Sequence, residues 1–115
     1  ATIRRQRQMC IRDSFTRAKG FDTFCPLGPF IQTEFTNNPE LNIKAFVNGE
    51  LKQDGNSRDM IYSIGEILEF VTSIMTLLPG DVVMTGTPEG VSQVKPGDEI
   101  KIEIETLGTL INSVE

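Results

Sequence analysis

The sequence predicts a mainly β, α+β domain of antiparallel strands joined by short turns, with one packed amphipathic helix. Three observations carry that prediction. Leu41 to Val47 and Glu99 to Glu105 alternate apolar and polar residues with a period of two, the pattern of strands with one wet face. Asn48-Gly49 separates the first run from Glu50-Leu51-Lys52-Gln53, and Asn-Gly between strand-like runs is a strong hairpin signal. Ser63 to Leu78 sets Ile64, Ile67, Leu68, Val71, Ile74, Met75 and Leu78 at three-four spacing, which is one apolar helical stripe.

In chain order, Ala1 to Gln8 is polar and basic, with Arg4, Arg5 and Arg7, and has neither period. Met9-Cys10-Ile11-Arg12-Asp13 has the look of a translated library adapter. The expectation is that residues 1–15 are an atypical, artefactual segment. Lys19-Gly20-Phe21-Asp22-Thr23-Phe24 leads into Cys25-Pro26-Leu27-Gly28-Pro29, punctuated as an ordered loop. Phe30 to Phe35 reads as a strand, broken by Asn37-Asn38-Pro39, and Asp54-Gly55-Asn56 reads as a turn. Ser63 and Glu66 have the spacing of a capping box, and Pro79-Gly80 stops the helix, whose stripe reads as a core-packing face. Val82-Val83-Met84 reads as a short buried strand feeding Thr85-Gly86-Thr87-Pro88-Glu89-Gly90. Pro96-Gly97-Asp98 repeats the turn chemistry of Pro79-Gly80-Asp81. Ile100, Ile102 and Ile104 point inward, and Gly108 to Val114 forms the last strand.

Composition narrows the function classes. The 115 residues make one small domain or part of a larger one, long enough to bury a core without disulfides. Net charge is −5 with the acids dispersed, which argues against nucleic acid as a partner. No apolar run approaches the roughly 20 residues of a membrane span. Cys10 and Cys25 are too few for a disulfide framework, and the chain reads as cytoplasmic. With no histidine, a histidine triad or histidine general base is excluded from this chain.

The residues that can carry chemistry are few. Thr85 to Gly90 combines two hydroxyls with two glycines, so its backbone N–H groups and Thr87 hydroxyl suit a carboxylate; a plain connecting loop is the other reading. Lys19 is either a surface lysine or a group that polarises a carbonyl or holds a carboxylate. Asp22 and Thr23 cap, turn or contact a metal shell. Glu103 and Glu105 share the spacing of a cation-binding pair, yet the whole strand alternates this way and the pair reads as a solvated face.

Together, Lys19-Gly-Phe-Asp-Thr-Phe-Cys-Pro-Leu-Gly-Pro29, Val47-Asn-Gly-Glu50, Asp59-Met60-Ile61, Leu78 to Val91 and Gly108-Thr-Leu110 occur in an order that resembles the C-terminal part of the fumarylacetoacetate hydrolase family catalytic domain. The resemblance covers Thr16 to Glu115, so residues 16–115 read as a partial catalytic domain. It implies a mixed β-roll or flattened barrel with a packed helix, and a homodimeric parent. It also implies a metal-dependent enzyme that hydrolyses, isomerises or decarboxylates small 2-oxo acids with Mg2+, Mn2+ or Ca2+. By motif position, Lys19 resembles the lysine beside the metal and the reacting carbonyl, and Thr23 a residue that supports the metal site. Thr87 resembles the residue that holds a substrate oxygen, with Gly86 allowing close approach. The resemblance places the family's metal-binding Glu-x-Glu pair upstream of the lysine loop, and with Arg12-Asp13 aligned to the family's Ala-Arg-Asp element, Gln8 stands at the position of its aspartate ligand. The expectation is a truncated, inactive fragment with uncovered apolar surface; the alternative is a non-catalytic carboxylate-binding or dimerisation β-domain.

Overall fold

A computed structural model describes residues 21–28, 31–34 and 39–115. Lys19, Phe30, Phe35 and the segment 1–15 lie outside the described residues. Four strands form one antiparallel sheet: β1 (Asn42–Val47), β2 (Glu50–Asn56), β3 (Glu99–Ile104) and β4 (Gly108–Ser113), in the order β2-β1-β3-β4. The chain is mainly β with a single helix among the described residues, α1 (Ile64–Ile74).

The β1–β2 hairpin turns where Asn-Gly predicts. Asn48 and Gly49 take φ of 51° and 81°, the paired positive values that match the twist of the flanking strands. Asn48 also fastens the tip to β3. Its Nδ2 donates to Asp98 Oδ1 at 2.8 Å, and its Oδ1 accepts from the Glu99 N–H at 2.9 Å. Register aligns Ile43, Ala45 and Val47 with Ile104, Ile102 and Ile100, and those with Gly108, Leu110 and Asn112. This is the apolar face, as the alternation of β1 and β3 predicts. The opposite face carries Lys44, Phe46, Lys101 and Glu103. There Lys101 Nζ lies 4.4 Å from the Phe46 ring centre and 3.0 Å from Glu103 Oε1.

Several expectations need correction. Strand β2 continues through Asp54-Gly55-Asn56 instead of turning there. Gly55 serves close packing: a Cβ on it would stand 3.3 Å from Pro88 Cγ. The chain turns one step later, in a 3-10 turn at Ser57–Asp59 whose Arg58 N–H is capped by Asn56 Oδ1 at 2.9 Å. Glu105 falls in the turn after β3, accepting from Asn42 Nδ2 at 3.0 Å, so it does not share the strand with Glu103. Residues 31–34 form no strand, and Ile31 is exposed.

The capping box forms: Ser63 Oγ accepts from the Glu66 N–H at 3.2 Å, and Glu66 Oε2 accepts from the Ser63 N–H at 2.8 Å. The helix nevertheless ends at Ile74, short of Leu78, with Met75 extended at φ −142° and ψ 157°. Thr72 and Ser73 there bond back to the carbonyls of Leu68 and Phe70, a local alternative to helical pairing. Leu78, which precedes proline, is also disfavoured in helical geometry. Instead its N–H is capped by Asp81 Oδ2 at 2.7 Å, and Lys95 is capped by Asp98 Oδ2 at 2.8 Å in the second Pro-Gly-Asp turn.

The expected core is reduced to one residue. Among the described residues Ala45 is the only buried apolar side chain. The helix stripe is not buried: Ile64, Ile67 and Val71 are half-covered, while Leu68, Ile74, Met75 and Leu78 are exposed. Val82-Val83-Met84 is not a buried strand either, since Val82 is 56 % and Met84 72 % exposed and no described strand pairs with them. Apolar periodicity identifies surface that needs a cover, and the cover of these faces does not come from the described residues.

Candidate functional site

Thr85 to Gly90 is an irregular segment held on the apolar face of β2. A bulge makes the docking possible. Ala45 pairs with Gln53 and Phe46 with Leu51, which leaves Lys52 as the surplus residue. Gln53 and Gly55, opposite Ala45 and Ile43, therefore belong to the apolar face. Gln53 Nε2 donates to Thr87 Oγ1 at 2.8 Å and to the Pro88 carbonyl at 2.9 Å. Pro88 packs on Gly55, and Gly90, at φ 105°, lies so close to β2 that a Cβ would overlap the Lys52 carbonyl.

The other end of the loop is open. Gly86 takes φ 91°, and nothing among the described residues stands within 4 Å of where its Cβ would be. Its lack of a side chain thus satisfies the backbone and leaves space, whereas at Gly90 it permits contact with β2. Thr87 is exposed beside that opening.

Thr23 lies in a turn closed by the Phe24 N–H donating to the Phe21 carbonyl at 3.1 Å, with the two rings 5.5 Å apart. Its φ of 68° is left-handed, which costs a β-branched residue about 1–2 kcal/mol. Strain of this kind gathers at binding sites. Lys19, the other candidate catalytic residue, lies outside the described residues.

No group of three or more His, Cys, Asp or Glu among the described residues is placed to hold a metal ion. Glu103 is paired with Lys101 and Glu105 with Asn42, so these two carboxylates serve the sheet. An open groove of about 580 Å³ runs past Lys44, Glu103 and Thr109, whose register puts it on the sheet face opposite Gln53. The Cys25 thiol is free and exposed. No helix among the described residues is long and apolar enough to cross a membrane.

Among the described residues, Asp98 and Glu66 are held below their ordinary range, both by turn and cap geometry. Asp98 is lowered first by the Asn48 side-chain amide and then by the Lys95 backbone N–H. Glu66 is lowered by the Ser63 backbone N–H and then by its hydroxyl.

Gln53 is the site residue that sequence reasoning missed. It reads there as an ordinary strand residue, because its face depends on a bulge that β2 does not announce. The signal available was a polar residue shortly before an Asp-Gly pair whose glycine carries no turn.

Fold and site together define a mainly β domain that latches a loop of small residues onto a hairpin and leaves its front open. The chain belongs to the fumarylacetoacetate hydrolase family: the Fumarylacetoacetate (FAA) hydrolase C-terminal profile matches residues 1–115. An uncharacterized protein of Methanocaldococcus jannaschii is 52 % identical over 101 residues, covering 88 % of this chain and 42 % of that protein. The 4-hydroxyphenylacetate degradation bifunctional isomerase/decarboxylase of Salmonella dublin is 44 % identical over 100 residues, covering 85 % of this chain and 23 % of the enzyme. Maleylpyruvate hydrolase from Sphingobium sp. SYK-6, in complex with manganese(II) ion and pyruvate, superposes with a TM-score of 0.76 at 43 % identity, covering 81 % of this chain and 36 % of that one. The chain thus spans less than half the length of each, and the family it belongs to is one of enzymes.

Proposed function

We propose that this chain supplies part of the active site of a divalent-metal-dependent enzyme that hydrolyses, isomerises or decarboxylates small 2-oxo acids, such as acylpyruvates or fumarylacetoacetate-like compounds. The observation that carries the reading is the Thr85 to Gly90 loop, latched at Gln53 and Gly90 and open at Gly86. A hydroxyl on a fixed backbone beside free space suits a substrate oxygen. In this reading Thr87 binds and orients the substrate, and Gly86 leaves room for it. Lys19 stabilises negative charge developing on the reacting carbonyl, and Thr23 supports the cation's surroundings.

Mg2+, Mn2+ or Ca2+ is the proposed cofactor. The manganese and pyruvate of the Sphingobium hydrolase support a divalent cation and a 2-oxo acid. The described residues do not fit such an ion by themselves, because they bring together no carboxylate set. The chemistry assigned to this chain is therefore confined to Lys19, Thr23, Gly86 and Thr87. The proposal includes a cytoplasmic homodimer with no nucleic-acid or membrane partner.

Titration calorimetry and an acylpyruvate turnover assay test the reading. The 115-residue chain alone is expected to bind Mg2+ weakly and turn over nothing, and the whole protein to turn over. Micromolar Mg2+ affinity or turnover by the chain alone would refute the assignment of the main ligands elsewhere. A second reading, a non-catalytic carboxylate-binding or dimerisation domain, draws on the same lack of a carboxylate cluster among the described residues. It predicts pyruvate binding by the whole protein without turnover.

A further inference from the structure

We infer that Gln53 is a positioning residue that sets which way the Thr87 hydroxyl points, and so which kind of group the loop accepts. The inference rests on the reading of Thr87 as substrate-binding. A carbonyl oxygen only accepts, so the Gln53 amide must turn its nitrogen, not its oxygen, toward the Pro88 carbonyl 2.9 Å away. That nitrogen is 2.8 Å from Thr87 Oγ1 and has a second proton to donate. Thr87 Oγ1 is therefore the acceptor in that bond, and the hydroxyl proton is directed away from Gln53.

An unconstrained hydroxyl rotates and serves as donor or acceptor. Tied in this way, Thr87 offers a donor to whatever occupies the space beside Gly86, where nothing among the described residues stands within 4 Å of the missing Cβ. The loop then favours an acceptor-only group, an ionised carboxylate, over one that brings its own N–H or O–H. The bulge at Lys52 and the packing of Gly90 on its carbonyl hold Gln53 and the loop in fixed relation.

A double-mutant cycle in the whole protein tests this, with Gln53→Met and Thr87→Val made singly and together. The readout is pyruvate affinity with Mn2+ present, by calorimetric titration. Thr87→Val is expected to weaken pyruvate about tenfold, the worth of one hydrogen bond to a charged group. Gln53→Met should weaken it about fivefold when Thr87 is present and less than about twofold in the Thr87→Val background, since its effect runs through that hydroxyl. Equal losses in both backgrounds would mean that Gln53 only props the loop, which overturns the inference and leaves the reading of Thr87 standing. Unchanged affinity in Thr87→Val removes both. A measurement on the unaltered protein needs no variant to fold: both Gln53 side-chain amide protons should exchange slowly with solvent. Exchange at the rate of a free amide overturns the inference.

Discussion

Replacing Gly90 by alanine isolates the latch between loop and hairpin. Gly90 has φ 105°, and a Cβ there would overlap the Lys52 carbonyl. That oxygen is backbone, so no rotamer change relieves the overlap and the loop must lift. The positive φ alone costs an alanine about 1–2 kcal/mol. Lifting the loop also breaks the two Gln53 bonds, to Thr87 and Pro88, at about 1 kcal/mol each. The expected loss for Gly90→Ala is therefore about 3–4 kcal/mol. Equilibrium urea unfolding of the whole protein measures it, with Gly86→Ala as the matched control. Gly86 has a similar φ of 91° with nothing among the described residues within 4 Å, so its replacement should cost only the backbone part, about 1–2 kcal/mol. If Gly90→Ala costs no more than Gly86→Ala, the loop is not clamped on β2 and the account of the site fails.

Gly86→Ala should also show itself in binding: pyruvate affinity falls at least about tenfold, because the added methyl enters the open space. In the whole protein Lys19→Ala should lower turnover of an acylpyruvate by about 100-fold and Thr87→Ala by about tenfold. Unchanged rates in folded variants would take both residues out of the site. Ser63→Ala should destabilise α1 by about 1 kcal/mol through loss of the cap, read by thermal melting monitored by circular dichroism. Acid should act on the turns and caps in a definite direction. Asp98 and Glu66 titrate below their ordinary range, so their contributions are complete above that range and disappear as pH falls through the lowered values. NMR titration should show Asn48 and Ser63 shifting with these carboxyls; midpoints in the ordinary carboxylate range would contradict the hydrogen bonds.

Local chemistry was the most legible part of the sequence. Asn48-Gly49, the Ser63–Glu66 box, both Pro-Gly-Asp turns and the isoleucine face of β3 depend on near neighbours in the chain, and all form. The readings that failed depend on what lies opposite. Val82-Val83-Met84 and the stripe of α1 are patterned for burial, yet burial needs a second surface. Gly55 looks like a turn glycine until Pro88 is seen against it. At the site, Thr87 and Gly86 were legible as a small, hydroxyl-rich loop, whereas Gln53 was not, because its facing is decided by strand pairing.

The surplus residue in β2 has a consequence for how this hairpin tolerates change. Counted from the Asn48-Gly49 corner without interruption, the ladder would set Lys52 across from Ala45 and Gln53 across from Lys44. The latch to Thr87 would then sit on the wrong side of the sheet. A shortened hairpin lacking Lys52 keeps Gln53 opposite Ala45, while any change that irons the strand flat at full length turns it over. The parity of a single residue, far from the loop in sequence, decides whether that loop has anything to hold.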